Sequence, residues 1–126
     1  KPMNIAAELP ELPGIDQALG LKRMMNKVKL YEKVLRDFHA RFANEAATIC
    51  AAIANSDFID AERRAHSTKG LAGSIGATRL QEYATALEHE LHMAQAPSPS
   101  VFSDYEEALA EVINGIEQAF ELTPKD

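Results

Sequence analysis

The sequence predicts an all-α fold, an antiparallel four-helix bundle with a short additional N-terminal helix. Three observations predict it. Apolar residues recur at three- and four-residue steps over most of the chain. Proline and glycine fall mainly between those periodic segments, and none interrupts residues 21–69. No alternating apolar and polar run marks a strand, and no repeat of 20 to 50 residues is present.

Residues 1–14 hold Pro2, Pro10 and Pro13 and end in Gly14, an extended lead-in or linker. Asp16 then opens a short amphipathic turn with Ile15, Leu19 and Met24 on its apolar side, since aspartate suits a helix N-terminus. A long helix is expected from Lys27 to Ala54, with Leu30, Val34, Phe38 and Phe42 as its stripe and Tyr31 and Leu35 beside them. Asn55, Ser56 and Asp57 are capping residues that end this helix and begin the next, over 57–75. Gly76 is the expected left-handed stop. Thr78 opens a helix to about Ala94 with Leu80, Ala84, Leu87 and Leu91 inward. "QAPSPS" is a loop. The last helix spans about Val101 to Leu122, with Phe102, Tyr105, Leu109, Val112, Ile116 and Phe120 inward, and Thr123-Pro124 ends it. The bundle thus occupies 15–122, and 123–126 is a tail. The short first helix is expected to cap one end.

The chain has 126 residues and 46% hydrophobic content, enough for one folded domain with a real core. Its net charge of −6 argues against nucleic-acid binding, which needs a basic face. No apolar run reaches the roughly 18–20 residues of a membrane helix. Lys1-Pro2-Met3-Asn4 has no initiator methionine and no signal-peptide core, which suggests a fragment of a longer chain or, less favoured, a processed terminus. The one cysteine, Cys50, excludes an internal disulfide and fits a reducing compartment. Its small, apolar neighbours suggest a buried side chain.

The chemistry concentrates in "AHSTKGLAGSIGA", residues 65–77. On a helix over 57–75, Phe58, Ala61, Ala65, Thr68, Ala72 and Ile75 share the core side. His66 lies about 130° from the centre of that stripe and should face solvent. Its neighbours one and two turns away are Glu62, Lys69, Gly70 and Gly73. Two mid-helix glycines each cost about 1 kcal/mol against alanine. A smooth depression for an approaching molecule would explain both. Lys69 is a mobile cation one turn from the imidazole, suited to an anion held there. No second group is placed for hydrolysis, so His66 reads as a carrier rather than a base. Neutral imidazole is a good nucleophile toward phosphorus, and phosphoryl transfer needs mainly positioning and charge neutralisation.

This segment resembles the signature of histidine-containing phosphotransfer (HPt) domains. "LPGIDQALGL", "YEKVLRDFHARF" and "ATRLQEYATALEHEL" resemble the flanking helices, so the likeness covers about residues 12–121. It implies that His66 is phosphorylated through Nε2, that Lys69 steadies the phosphoryl charge, and that Gly70 leaves room for a receiver domain. Some members carry a glutamine on the following helix; the matching residue here is Glu88, which could orient the imidazole but would repel phosphate. The implied partners are response-regulator receiver domains, which donate from and return to an aspartate and bring the Mg²⁺. No cofactor is expected in this domain. No glycine-rich nucleotide site is present, so the module should not use ATP itself, although its parent could be a kinase. The likeness further implies a phosphorelay module in two-component signal transduction, a phosphoprotein in the cytoplasm, monomeric, without nucleic-acid or direct membrane contact. The C-terminal end of a membrane-anchored hybrid sensor histidine kinase is the expected setting.

The receiver should cover Ile59, Glu62, His66, Lys69, Gly70 and Gly73, with Arg63 and Arg64 near its acidic groups. His39, His89 and His92 read as solvated residues of an outer face. "HELH" lacks the four-residue spacing of a zinc helix, so a metal is not expected. The rival readings are a helical adaptor for an amphipathic peptide and a small enzyme with His66 as general base. The adaptor leaves the His-Lys-Gly face unexplained. The enzyme needs a pocket that a convex helix surface does not offer.

Overall fold

The first helix begins where the Asp16 carboxylate accepts the Leu19 N–H at 3.1 Å. This helix, α1, spans Gln17–Arg23. In the computed structural model, which describes residues 9–124, five more follow. They are α2 (Val28–Phe42), α3 (Glu45–Ala54), α4 (Phe58–Ile75), α5 (Thr78–Leu91) and α6 (Pro99–Phe120). All regular structure among the described residues is helical. The pair α2 and α3, with α4, α5 and α6, forms the four-membered bundle.

Cross-helix contacts run in opposite senses along each pair, so neighbours are antiparallel. Tyr31 of α2 reaches Ile75 at the far end of α4, while Glu45 of α3 reaches Arg64. His39 meets Glu117, and Arg36 lies over the Phe120 ring, which runs α2 against α6. α1 closes one end as expected. Asp16 N–H donates to Gly76 O at 2.8 Å, and Gly20 packs so closely that a Cβ would stand 2.4 Å from Ile75 O.

The single helix expected over 27–54 is broken at Ala43 and Asn44. Asn44 leaves the helical region, at φ −111° and ψ 16°. Asparagine competes for backbone hydrogen bonds and favours such breaks. Beyond it, α3 buries Glu45, Ile49 and Ala52. Cys50, expected inside, is exposed, because it sits one residue and about 100° from Ile49.

The α2 stripe is also turned by one position. Tyr31, Leu35, Phe38 and Phe42 are buried, and Leu30 is 42% exposed. That rotation draws His39 into the interior, where Nε2 lies 2.9 Å from Glu117 Oε2. His39 is therefore a buried, paired residue rather than a solvated one.

The expected core residues of α4 and α5 are in place. Ala61, Ala65, Thr68, Ala72 and Ile75 are buried on α4, and Leu80, Ala84, Leu87 and Leu91 on α5. Gly76 ends α4 at φ +87°, and a Cβ there would meet Asp16 O at 2.2 Å. α5 stops at Leu91, before the Ala94 turn at φ +57°. α6 starts two residues earlier than expected because Pro99 takes its first turn, where no N–H is needed.

Residues 9–14 form no helix, but they pack on the bundle rather than hang free. Leu9 and Leu12 are buried. Gln17 clasps the segment, accepting from Leu12 N–H at 3.1 Å and donating to Pro10 O at 3.0 Å. The rest of the expected lead-in, 1–8, and the last two residues of the tail, 125–126, lie outside the described residues.

Candidate functional site

Asp57 caps α4 by accepting from Asp60 N–H at 3.1 Å, which sets the phase of the helix. With alanines and Thr68 turned inward, His66 projects from the opposite side, its side chain 64% exposed. Thr68 holds its place by donating its hydroxyl to Arg64 O at 3.0 Å, the back-bond its type permits. A hydroxyl has one proton, so Tyr105 donates across the 3.1 Å contact between Thr68 Oγ1 and Tyr105 Oη. That buried bond ties α4 to α6 beneath the site.

Glu88 of α5 joins the two residues singled out on α4. Its Oε2 accepts from His66 Nδ1 at 2.7 Å, and its Oε1 lies 2.7 Å from Lys69 Nζ. A carboxylate only accepts, so the imidazole proton sits on Nδ1 and the lone pair on Nε2. Nε2 makes no hydrogen bond among the described residues. Partial burial works against ionisation of Glu88, but the Lys69 ammonium and the His66 ring outweigh it and hold its carboxyl below the usual glutamate value.

Gly70 adjoins this triad and is open. A Cβ added there would meet nothing within 4 Å. Gly73 is different. It is buried, the Arg23 guanidinium donates to its carbonyl, and a Cβ would stand 2.5 Å from Gln81 Nε2. Its lack of a side chain serves the packing of α4 against Gln81. Gly73 is thus not part of the accessible depression, and the expectation that it lines a docking face is corrected.

Ile59 is 83% exposed on the same helix, two turns before His66. Glu62 lies between them, and its Oε2 is 2.7 Å from His92 Nδ1. Arg63 is exposed and paired with Asp60. Arg64 turns away from the site, its Nε 2.9 Å from Asp60 Oδ2 and its Nη1 3.2 Å from Glu45 Oε1. The hydrogen bond from Arg64, then that from Arg63, holds Asp60 below the usual aspartate value. Arg64 is therefore a tie between α3 and α4. His89 and His92 are exposed, as expected, and no group of three His, Cys, Asp or Glu among the described residues could hold a metal.

Sequence reasoning missed that His92 lies on the His66 face. The folded register explains it: the antiparallel offset that brings Glu88 to His66 also brings Glu62 to His92. A shallow groove lined by Glu62, Thr85, Glu88, His89 and His92 runs beside both pairs. The arrangement offers a solvent-facing nucleophile with a fixed tautomer, an adjacent cation and an unobstructed helix surface.

No described helix is long and apolar enough to cross a membrane. Among known families, the model described as Hpt domain matches residues 33–119, well over half of the chain. No curated protein and no solved structure matches it.

Proposed function

Because the chain belongs to the Hpt domain family, whose members carry out histidine phosphotransfer in phosphorelay signalling with receiver domains of response regulators, we propose that His66 is its phosphoryl acceptor. The observation that carries this reading is the Glu88 bridge, which fixes His66 Nδ1 and leaves Nε2 as the nucleophile.

In the proposed step, the Nε2 lone pair attacks the phosphorus of a receiver's aspartyl phosphate. The P–O bond to the aspartate breaks and the carboxylate leaves. The ring becomes a phosphoimidazolium, and its Nδ1–H stays on the Glu88 carboxylate, which balances the new positive charge. Lys69 turns toward the phosphoryl oxygens and offsets the repulsion from Glu88. The reverse step passes the group to a second receiver. Gly70 admits the receiver backbone, and Ile59, Glu62 and Arg63 meet its surface. The receiver brings Mg²⁺, and this domain supplies no cofactor and no ATP site. The module acts as a monomer in the cytoplasm, without nucleic-acid or membrane contact, either alone or at the C-terminal end of a hybrid sensor kinase.

The test uses a panel of receiver domains charged with acetyl phosphate and Mg²⁺ and then freed of the small donor. Acid-labile, base-stable label should appear on the protein and vanish in His66→Gln. Label that persists in His66→Gln assigns the acceptor elsewhere. Receiver binding without any label supports an adaptor instead.

A further inference from the structure

His66 is one of two imidazoles built alike on this face. On α4, Glu62 precedes His66 by four residues; Glu88 of α5 precedes His92, the residue that caps that helix, by four. Because the two helices are antiparallel, the pairs cross. His66 Nδ1 meets Glu88 Oε2 at 2.7 Å, and His92 Nδ1 meets Glu62 Oε2 at 2.7 Å. Both rings are exposed, at 64% and 76% of the side chain. In both, the carboxylate fixes the proton on Nδ1 and leaves the Nε2 lone pair facing outward. His89, also exposed, has no such carboxylate among the described residues, and His39 is buried.

We propose that His92 is a second phosphoryl-accepting histidine, activated by Glu62, and charged by small diffusible phosphoryl donors rather than by a docked receiver. The chemistry is that of an imidazole whose attack generates a cationic ring. Nε2 attacks the phosphorus of a donor such as phosphoramidate, the P–N bond breaks, and ammonia leaves with a proton from solvent. The phosphoimidazolium keeps its Nδ1–H on Glu62, whose charge neutralises the ring. The groove between the two pairs, roughly 370 Å³ and open to solvent, is ample for such a donor.

The surroundings differ in the parts a protein donor needs. Beside His66 stand Lys69 and the open backbone of Gly70. The positions three and four residues past His92 are Gln95 and Ala96, beyond the end of α5. Among the described residues no lysine pairs with Glu62, so an anionic donor reaches His92 more slowly than His66. The proposal stands on this geometry and does not depend on relay activity at His66.

The experiment treats the wild type, His66→Gln, His92→Gln and the double variant with phosphoramidate, and maps phosphohistidine by mass spectrometry and ³¹P NMR. The wild type should carry two phosphohistidines, with His66 filling first. His66→Gln should retain label at His92, and the double variant should lose nearly all of it. A second arm uses diethylpyrocarbonate, a neutral reagent that reads imidazole nucleophilicity without charge repulsion. His92 should react faster than His89, and Glu62→Gln should slow His92 severalfold and leave His66 unchanged. The proposal is overturned if His66→Gln takes no label at His92, if His89 labels as fast as His92, or if Glu62→Gln has no effect on His92. Charged receivers applied to the same variants test the relay separately, and should still label His92→Gln at His66.

Discussion

His66 Nδ1 and Glu88 Oε2 are 2.7 Å apart, and the second oxygen of Glu88 is equally close to Lys69 Nζ. One carboxylate thus sets the imidazole tautomer and parks the cation that the phosphoryl group will need. The two duties can be separated. Glu88→Ala frees the ring to rotate and should slow receiver-to-His66 transfer by at least about tenfold, since losing the carboxylate that orients a reactive imidazole can cost far more. Lys69→Ala leaves the ring fixed but exposes the phosphoryl group to Glu88. It should slow transfer and shorten the lifetime of the phosphohistidine. Single-turnover transfer kinetics read both, and unchanged rates in both variants would remove Glu88 and Lys69 from the site.

The same bridge has a pH signature. Glu88 is held below the usual glutamate value, with burial opposing and Lys69 and His66 prevailing. For a carboxyl depressed in the folded state, the contribution to stability is present above its unfolded value and lost as pH falls through the folded one. The bridge should therefore persist through neutral and weakly acid solution and open only below about pH 4.3, the ordinary glutamate value. Its worth is small, as the groups are partly solvated. NMR titration of the Glu88 side chain should give a depressed midpoint that rises in Lys69→Ala.

Gly70 and Gly73 share a helix and a residue type but predict opposite outcomes. Space around Gly70 is open, so Gly70→Gln should fold normally and even gain up to about 1 kcal/mol of helix stability. Its side chain should nevertheless block the receiver and suppress transfer. A more stable protein with normal transfer would show that receivers approach from another side.

Much of this was legible in the sequence, and the exceptions share a cause. The apolar spacing on α4 and α5 identified every alanine and leucine of their buried faces, and hence the outward placement of His66. Periodicity is a local signal, however, and it cannot see which of two adjacent residues a neighbour covers. Leu30 and His39 were therefore misplaced by a rotation of the α2 stripe, with His39 held inside by Glu117, 78 residues away. Gly73 was read as open for the same reason, since Arg23 and Gln81 cover it from α1 and α5. The break at Asn44 follows a weak propensity that tertiary packing decides. The Glu62–His92 pair needed the register of α4 against α5, which emerges only from the folded bundle.

Thr68 sits under the site as a polar residue in an otherwise apolar stripe. It accepts from Tyr105 and donates to Arg64 O. Thr68→Val keeps the shape but strands the Tyr105 hydroxyl in the interior, at a cost of about 1–3 kcal/mol. Thr68→Ser retains the hydroxyl and should recover most of that loss. Urea unfolding of the two variants checks the difference. Equal destabilisation would mean that the methyl group, not the hydrogen bond, matters here.

Tyr105 and Tyr31 give the fold an alkaline limit. Burial raises both well above the ordinary tyrosine value, with the Asp16 charge adding at Tyr31 and the Glu45 charge adding at Tyr105. A group whose folded pKa is raised contributes stability that is fully present below its unfolded pKa and is lost as pH rises toward the folded one. The unfolded chain ionises from about pH 10, and above it each buried tyrosine should remove about 1.4 kcal/mol of stability per pH unit. Urea midpoints should therefore be flat in this respect at neutral pH and fall steeply above pH 10. Tyr105→Phe, although less stable at neutral pH for want of its bond to Thr68, should lose stability in alkali at a visibly shallower slope. A slope identical to the wild type would mean that Tyr105 ionises as easily folded as unfolded, and that its hydroxyl is not sealed beneath the α4 face.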